Sequence, residues 1–74
     1  MHEERKEQIF DGFAERLAEL MSQRGVTQVV LAEAIGVSPG AVGHFTAGRK
    51  YPSLTTLMLI CDALNVKLAK LVNI

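Results

Sequence analysis

A tight bend between two short helices, within residues 26–49, constrains the fold of this chain more than any other feature. Thr27 is placed to cap the first helix, because its hydroxyl can accept a hydrogen bond from a backbone N–H that has no partner inside the helix. Gly36 is placed to end that helix, since a residue without a Cβ readily takes the left-handed conformation that a helix end often needs. Ser38 can then cap a second helix, with Pro39 at its first position, where a missing N–H costs little.

The rest of the chain also predicts helices, and no strand pattern or internal repeat interrupts them. Apolar residues recur at spacings of three and four, which is typical of helices that pack one face on a shared core. Gly12 weakens the first helix by about 1 kcal/mol relative to Ala, and it marks where a charged leader, residues 1–8, meets the packed part. We expect an all-α fold of five helices, at about 3–24, 28–35, 39–46, 54–64 and 67–71.

The same spacing predicts which residues face the core. Cys61 is expected there, because an unpaired cysteine behaves as a small hydrophobe. In the helix before the bend the inward residues are Val30, Leu31, Ala34 and Ile35. In the helix at 54–64 they are Leu54, Leu57, Met58, Cys61 and Leu64, with Ile60 beside them. Further on, the residues expected to return to the core are Val66, Leu68 and Leu71.

Length and composition exclude several classes of protein. Seventy-four residues make one domain, residues 1–74, with a small core. No apolar run reaches the roughly 18 residues that span a bilayer, and a lone cysteine forms no internal disulfide, so we expect a cytoplasmic protein without a membrane partner. Two scattered histidines and one cysteine lack metal-ligand spacing, and no nucleophile accompanies a base and an orienting group. The sequence therefore predicts no enzyme, no metal, no cofactor and no small-molecule ligand.

Charge is balanced overall but unevenly placed. The chain has 8 basic and 8 acidic residues, which argues weakly against nucleic-acid binding, because affinity for phosphate is largely electrostatic. Residues 1–20 hold six acidic and three basic residues, whereas residues 21–74 hold two acidic and five basic ones. The bent pair of helices therefore lies in the positive part of the chain.

A helix, a short turn with glycine and a second helix form the helix-turn-helix pattern, which presents its second helix to the major groove of DNA. Further short motifs accompany it in order: Glu15-Arg16-Leu17, Gln23-Arg24-Gly25, Thr27-Gln28, Leu31-Ala32-Glu33, Gly36-Val37-Ser38, Gly48-Arg49, Pro52-Ser53-Leu54 and Ala63-Leu64-Asn65-Val66. This ordered set resembles the Cro/C1-type (XRE-like) helix-turn-helix family of phage and bacterial transcriptional repressors. The resemblance covers roughly residues 13–72 and rests on the whole set, since no single motif is specific.

The resemblance implies a compact phage-repressor-like domain that binds double-stranded DNA as a homodimer at a two-fold-symmetric operator. In the family, the residue matching Gln28 bonds a DNA phosphate, and residues matching Arg49 and Lys50 touch the backbone. The second helix of the motif reads the bases. The positions expected to contact DNA are Thr27, Gln28, Ser38, Pro39, Gly40, Ala41, Gly43, His44, Thr46, Arg49 and Lys50.

The reading positions depart from the family pattern. Many relatives have Gln, Arg, Ser or Thr where this chain has Pro39 and Gly40, and those side chains can bond base edges, whereas Pro and Gly cannot. Three interpretations remain open. The small residues let the helix approach thymine methyl groups closely through Pro39 or Ala41; His44 and the shape of the DNA supply specificity; or DNA binding has been lost.

An apolar patch near the C-terminus predicts the dimer contact. Leu59 faces away from the expected core, at a position that is often polar in relatives. Exposed apolar patches often mark protein contacts, although an isolated surface leucine needs no explanation. The residues expected to form the interface are Leu59, Val66, Leu71, Val72 and Ile74.

A second function class fits the same fold. The balanced charge and the small side chains of the second motif helix favour a protein-interaction module, either antitoxin-like or a regulatory partner, with weak or no DNA binding. Binding to DNA that weakens steeply with salt separates the two functions.

Overall fold

The structure, a computed structural model, describes residues 2–74, with side chains from Arg5 onward. Over those residues the chain forms five α-helices, one 3₁₀ turn and no strand, which confirms the all-α class. The helices are α1 (His2–Phe10), α2 (Phe13–Gln23), α3 (Gln28–Ile35), α4 (Pro39–Thr46) and α5 (Leu54–Leu64), and the 3₁₀ turn spans Leu68–Lys70. Met1, the start of the predicted leader, lies outside the described residues.

One apolar core joins α2, α3, α4, α5 and the C-terminal segment. Its fully buried members are Phe13, Leu17, Leu31, Val42, Ile60, Leu64, Leu71 and Val72. Burying one such side chain contributes about 1.5–3 kcal/mol. Helices as short as α3 and α4, eight residues each, are unstable alone, so this shared core holds them.

The ends of α3, α4 and α5 match the predicted ones, because neighbouring side chains fix them. Thr27, Ser38 and Ser53 each accept a hydrogen bond at Oγ from the backbone N–H three residues further on, at 3.2, 3.1 and 3.2 Å. Gly36 (φ 75°) and Asn65 (φ 54°) end α3 and α5 in the left-handed conformation.

The single helix predicted over residues 3–24 is wrong, because the chain breaks into α1 and α2 at Asp11 and Gly12. Gly12 has a φ of 78°, which no continuous right-handed helix contains. Phe10 and Phe13, on either side of the break, meet edge to face with their ring centroids 5.4 Å apart. The turn thus brings both rings to the core side, and most of the predicted leader forms part of α1.

Two predicted core faces also need correction. On α5, Leu54 and Met58 are 70% and 50% exposed. The buried stripe instead contains Leu57, Ile60, Cys61 and Leu64. Met58 lies at the edge of this stripe, and Leu54 lies in the first turn, beyond the core. On α3, Val30 and Ala34 are exposed, and the buried residues are Leu31, Ala32 and Ile35.

The C-terminal segment holds α1 in place. The Asn73 side-chain amide donates to the carbonyl oxygens of Gln8 and Asp11, at 2.8 and 3.2 Å. The Asn73 backbone N–H donates to the carbonyl of Ile9 at 2.8 Å. These three bonds occupy carbonyl groups in the last turn of α1 and in the break that follows it, where the regular helical bonds end. The helix predicted at 67–71 is only the short 3₁₀ turn.

Candidate nucleic-acid interface

The two motif helices, α3 and α4, meet at a bend of 111°, within the range of about 90–120° typical of helix-turn-helix pairs. No single helix in residues 2–74 is long and apolar enough to cross a membrane, and α3 and α4 meet that requirement only as this bent pair. Val42 and Phe45 are buried and fix α4 on the core. The opposite side of α4 is therefore turned outward.

Small side chains form the outward side of α4 and its N-cap. Ser38, Pro39, Gly40 and His44 are exposed, and Ala41 and Gly43 are half-buried. A Cβ added to Gly40 would have only the Ser38 hydroxyl nearby, 3.9 Å away. An external surface can therefore approach the backbone of α4 closely over its first turn.

Gln28 lies across α4, which sequence reasoning did not foresee. A Cβ added to Gly43 would lie 3.4 Å from Oε1 and 3.8 Å from Nε2 of Gln28. The Gln28 amide therefore rests beside α4 at Gly43, at a distance that even an added Cβ would meet with ordinary van der Waals contact, while Gln28 stays exposed. The sequence signal for this contact was Gly43, a glycine within the second motif helix. Identifying Gln28 as the side chain beside it required knowledge of how α3 packs on α4.

The three hydroxyl groups predicted to contact DNA differ in their availability. Thr27 and Ser38 accept capping bonds at Oγ, so each keeps its hydroxyl proton for an external acceptor such as a phosphate oxygen. Thr46 instead donates to the Gly43 carbonyl at 3.1 Å. Thr46 would have to break this bond to donate to DNA, which weakens its predicted role.

A short exposed loop with two basic residues follows α4. The Arg49 N–H donates to the His44 carbonyl at 2.9 Å, and Gly48 turns the chain with a φ of 73°. Arg49 and Lys50 are both exposed. Phosphate oxygens are the usual partners of such side chains beside a DNA-reading helix.

Tyr51, the next residue of this loop, packs against α1. Its ring stacks on that of Phe10 with centroids 4.3 Å apart and planes 12° apart. The amine of Lys6 lies 5.7 Å from the centroid of the Tyr51 ring. The Tyr51 ring thus has a packing partner within the fold.

The predicted dimer residues divide into two groups. Leu71 and Val72 are only 0% and 2% exposed, so their assignment to a surface patch is wrong, whereas the core position also expected for Leu71 is confirmed. They belong to the core because the chain after α5 folds back under α1. Leu59 and Ile74 are exposed, and Val66 is half-buried. Leu54 and Met58, predicted as core, line an open apolar groove beside Leu59.

Comparison with known proteins identifies the family of this chain. The sequence profile of the helix-turn-helix family matches residues 17–71, and α1 precedes the matched region. No curated protein sequence matches the chain. The restriction-modification controller protein C.AhdI from Aeromonas hydrophila is 30% identical, with 80% of this chain and 89% of that chain covered and a TM-score of 0.76.

Two further solved structures share the fold. The P22 c2 repressor in complex with the synthetic operator 9T has a TM-score of 0.79 at 21% identity, over 82% of this chain and 92% of that one. Hydroxypropylphosphonic acid epoxidase from S. wedmorenis has a TM-score of 0.79 at 27% identity, over 89% of this chain and only 35% of that one. The same helical unit therefore occurs both as most of a repressor domain and as a minor part of an enzyme.

Proposed function

Since the chain belongs to the Cro/C1-type helix-turn-helix family of DNA-binding transcriptional regulators, we propose that it represses transcription by occupying a two-fold-symmetric operator as a homodimer. The observation that carries this proposal is the uncovered first turn of α4, with the exposed Gln28 on one side and the exposed Arg49–Lys50 loop at its far end. Bound there, the dimer blocks access of the transcription machinery to promoter DNA.

The positioning contacts come from the ends of the motif. Gln28 starts α3, where backbone N–H groups without helical partners attract a phosphate. Arg49 and Lys50 supply charge at the other end of α4. Contacts of this kind set the register of the protein on DNA without reading sequence.

The helix proposed to read the bases, α4, has short side chains in its first turn. The open space at Gly40 supports close approach of α4 to the groove floor, where Pro39 and Ala41 meet thymine methyl groups. His44 is exposed one turn further along α4 and can donate to a base or a phosphate. Of the three interpretations left open by the sequence, these surroundings favour the first, close approach of the small residues, and His44 from the second adds a polar reader.

The second copy is proposed to dock on the exposed face of α5. Leu54, Met58 and Leu59 are large apolar residues exposed side by side there, and the half-buried Val66 follows the helix. Two-fold pairing through this face suits an operator whose half-sites lie about 34 Å apart, one turn of DNA.

Selection of bound sites from random duplex DNA tests the function directly. The purified protein is incubated with the pool at low and at moderate salt, and the bound DNA is sequenced. We expect an inverted repeat whose half-sites are centred about one turn apart. Failure to enrich any sequence at either salt concentration, with a folded protein, would overturn the proposal.

Sedimentation tests the dimer separately. Leu59→Glu places a charge in the apolar face of α5, and we expect a folded monomer. Val29→Glu is the control, because Val29 is also an exposed apolar residue but lies on α3, outside that face; it should remain dimeric. Identical sedimentation of Leu59→Glu and the unmodified chain would exclude this interface.

One observation favours a protein-interaction module as the second candidate. The exposed apolar face of α5 suits a protein partner as well as a second copy. In that case the selection experiment enriches nothing, while Leu59→Glu abolishes binding to the partner.

A further inference from the structure

The loop with Arg49 and Lys50 has only a few anchors on the body of the protein. At its start, a Cβ added to Gly48 would lie 3.6 Å from the Cβ of Ala14 on α2, so the loop lies close to α2 there. At its end, Pro52 is buried. Between these points the two basic residues are exposed, and Tyr51 is the residue next to them that contacts another helix.

That contact is made by a helix outside the matched family region. The Tyr51 ring stacks on Phe10, the last residue of α1, and Phe10 in turn meets the buried Phe13 edge to face. Parallel and edge-to-face aromatic contacts are more favourable than the area they bury accounts for. The two contacts form a continuous path from the core through α1 to the loop.

The last turn of α1 is itself fixed from the C-terminal side. Asn73 bonds the carbonyls of Gln8, Ile9 and Asp11, so the backbone on both sides of Phe10 is held. The Phe10 ring is therefore set by the fold and can orient Tyr51.

The charges around this contact indicate that α1 acts through the loop and does not bind DNA itself. Glu7, Asp11 and Glu15 line the groove that separates α1 and the start of α2 from Gly48 and Tyr51. Carboxylates in this groove would repel a phosphate placed against it. Lys6, near the Tyr51 ring, and Arg16, whose guanidinium lies 3.5–3.7 Å from the Cβ position of Gly12, offset only part of that charge.

We propose that the stack of Phe10 on Tyr51 positions the loop, so that α1 determines how Arg49 and Lys50 meet DNA phosphates without touching the DNA. Phe10 and Tyr51 are positioning residues in this scheme. The inference rests on the proposed DNA-binding function, but the positioning of the loop is measurable without DNA.

The DNA-free measurement uses the absence of other fluorophores. Tyr51 is the only tyrosine and there is no tryptophan, so acrylamide quenching of intrinsic fluorescence reports the exposure of this ring. We expect Phe10→Leu, which keeps an apolar side chain against the core, to increase quenching and to lower the ¹⁵N order parameters of Arg49 and Lys50. Phe10→Tyr retains the stack and should restore the order parameters of Arg49 and Lys50, which alone are compared for this variant because it adds a second tyrosine to the fluorescence. Unchanged order parameters in a folded Phe10→Leu variant would overturn the proposal.

The DNA measurement uses the site recovered by selection. For Phe10→Leu we expect the slope of log affinity against log salt to become shallower by about 1–2, since roughly one unit is lost for each phosphate contact. Phe10→Tyr should restore the slope. A loss of stability alone would leave the slope of the folded fraction unchanged.

The two failures are distinguishable. If the unmodified protein binds no DNA, the proposed function fails while the fluorescence and order parameters still decide whether α1 positions the loop. If the unmodified protein binds with a steep salt slope and Phe10→Leu binds with the same slope, only the positioning role fails.

Discussion

At the scale of single residues, two exposed glycines of the motif have different backbone conformations and should respond oppositely to substitution. Gly40 lies inside α4 in helical conformation with open space around its Cβ position, whereas Gly36 has a φ of 75°. We expect Gly40→Ala to raise the free energy of unfolding by about 1 kcal/mol, because alanine loses less entropy in a helix. Gly36→Ala should lower it by about 1–2 kcal/mol, because a Cβ strains the left-handed conformation. Urea denaturation of both variants measures the difference, and a destabilised Gly40→Ala would contradict it.

Cys61 gives the second prediction at this scale. Burial of the thiol raises its pKa above the usual value, so the unfolded chain releases the proton at lower pH than the folded one. The folded state then binds more protons above the usual pKa, and stability falls as pH rises through that range. We expect urea midpoints of the unmodified protein to fall more steeply at alkaline pH than those of Cys61→Ala. Equal slopes for the two proteins would show that burial of the thiol has no such effect.

At the scale of elements, Asn73 controls whether α1 stays docked. Its amide donates to two carbonyl groups near the end of α1. Asn73→Ala should cost about 1–3 kcal/mol of docking free energy, and Asn73→Asp should cost more, since its carboxylate would face those carbonyl oxygens without a proton to donate. Acrylamide quenching of Tyr51 should rise in the same order, while the circular dichroism of the other helices is retained. Quenching equal to that of the unmodified protein in both variants would contradict this role.

Elements defined by local chemistry could be predicted from the sequence. The bounds of α3, α4 and α5 depend on caps such as Thr27, Ser38 and Asn65, each of which acts on residues a few positions away. The break at Gly12 and the burial of Val72 depend on what those residues meet in three dimensions. For the same reason the sequence identified Gln28, Arg49 and Lys50 as candidate DNA contacts but missed the packing of Gln28 on Gly43 and of Tyr51 on Phe10.

At the scale of the whole molecule, the few basic residues must account for DNA affinity, since the total formal charge is zero. We expect Arg49→Gln and Lys50→Gln each to weaken binding for all sequences alike and to reduce the salt slope by about one unit. Lys70→Gln removes the same charge from the exposed 3₁₀ turn and serves as the control. Binding titrations over a range of salt concentrations measure all three, and an equal loss in the control would mean that only net charge matters.

The bonds between Asn73 and α1 also bear on the order in which the protein folds. They join residues up to 65 positions apart, so the chain must close a loop of almost its whole length before they can form, whereas α3 and α4 are neighbours in sequence. The entropic cost of closing that loop is offset only by contacts that form once the core is in place. Docking of α1 should therefore be the last step of folding and its release the first step of unfolding. In native-state hydrogen exchange, the amides of α1 and Asn73 should open at a lower free energy than those of Leu31 and Val42.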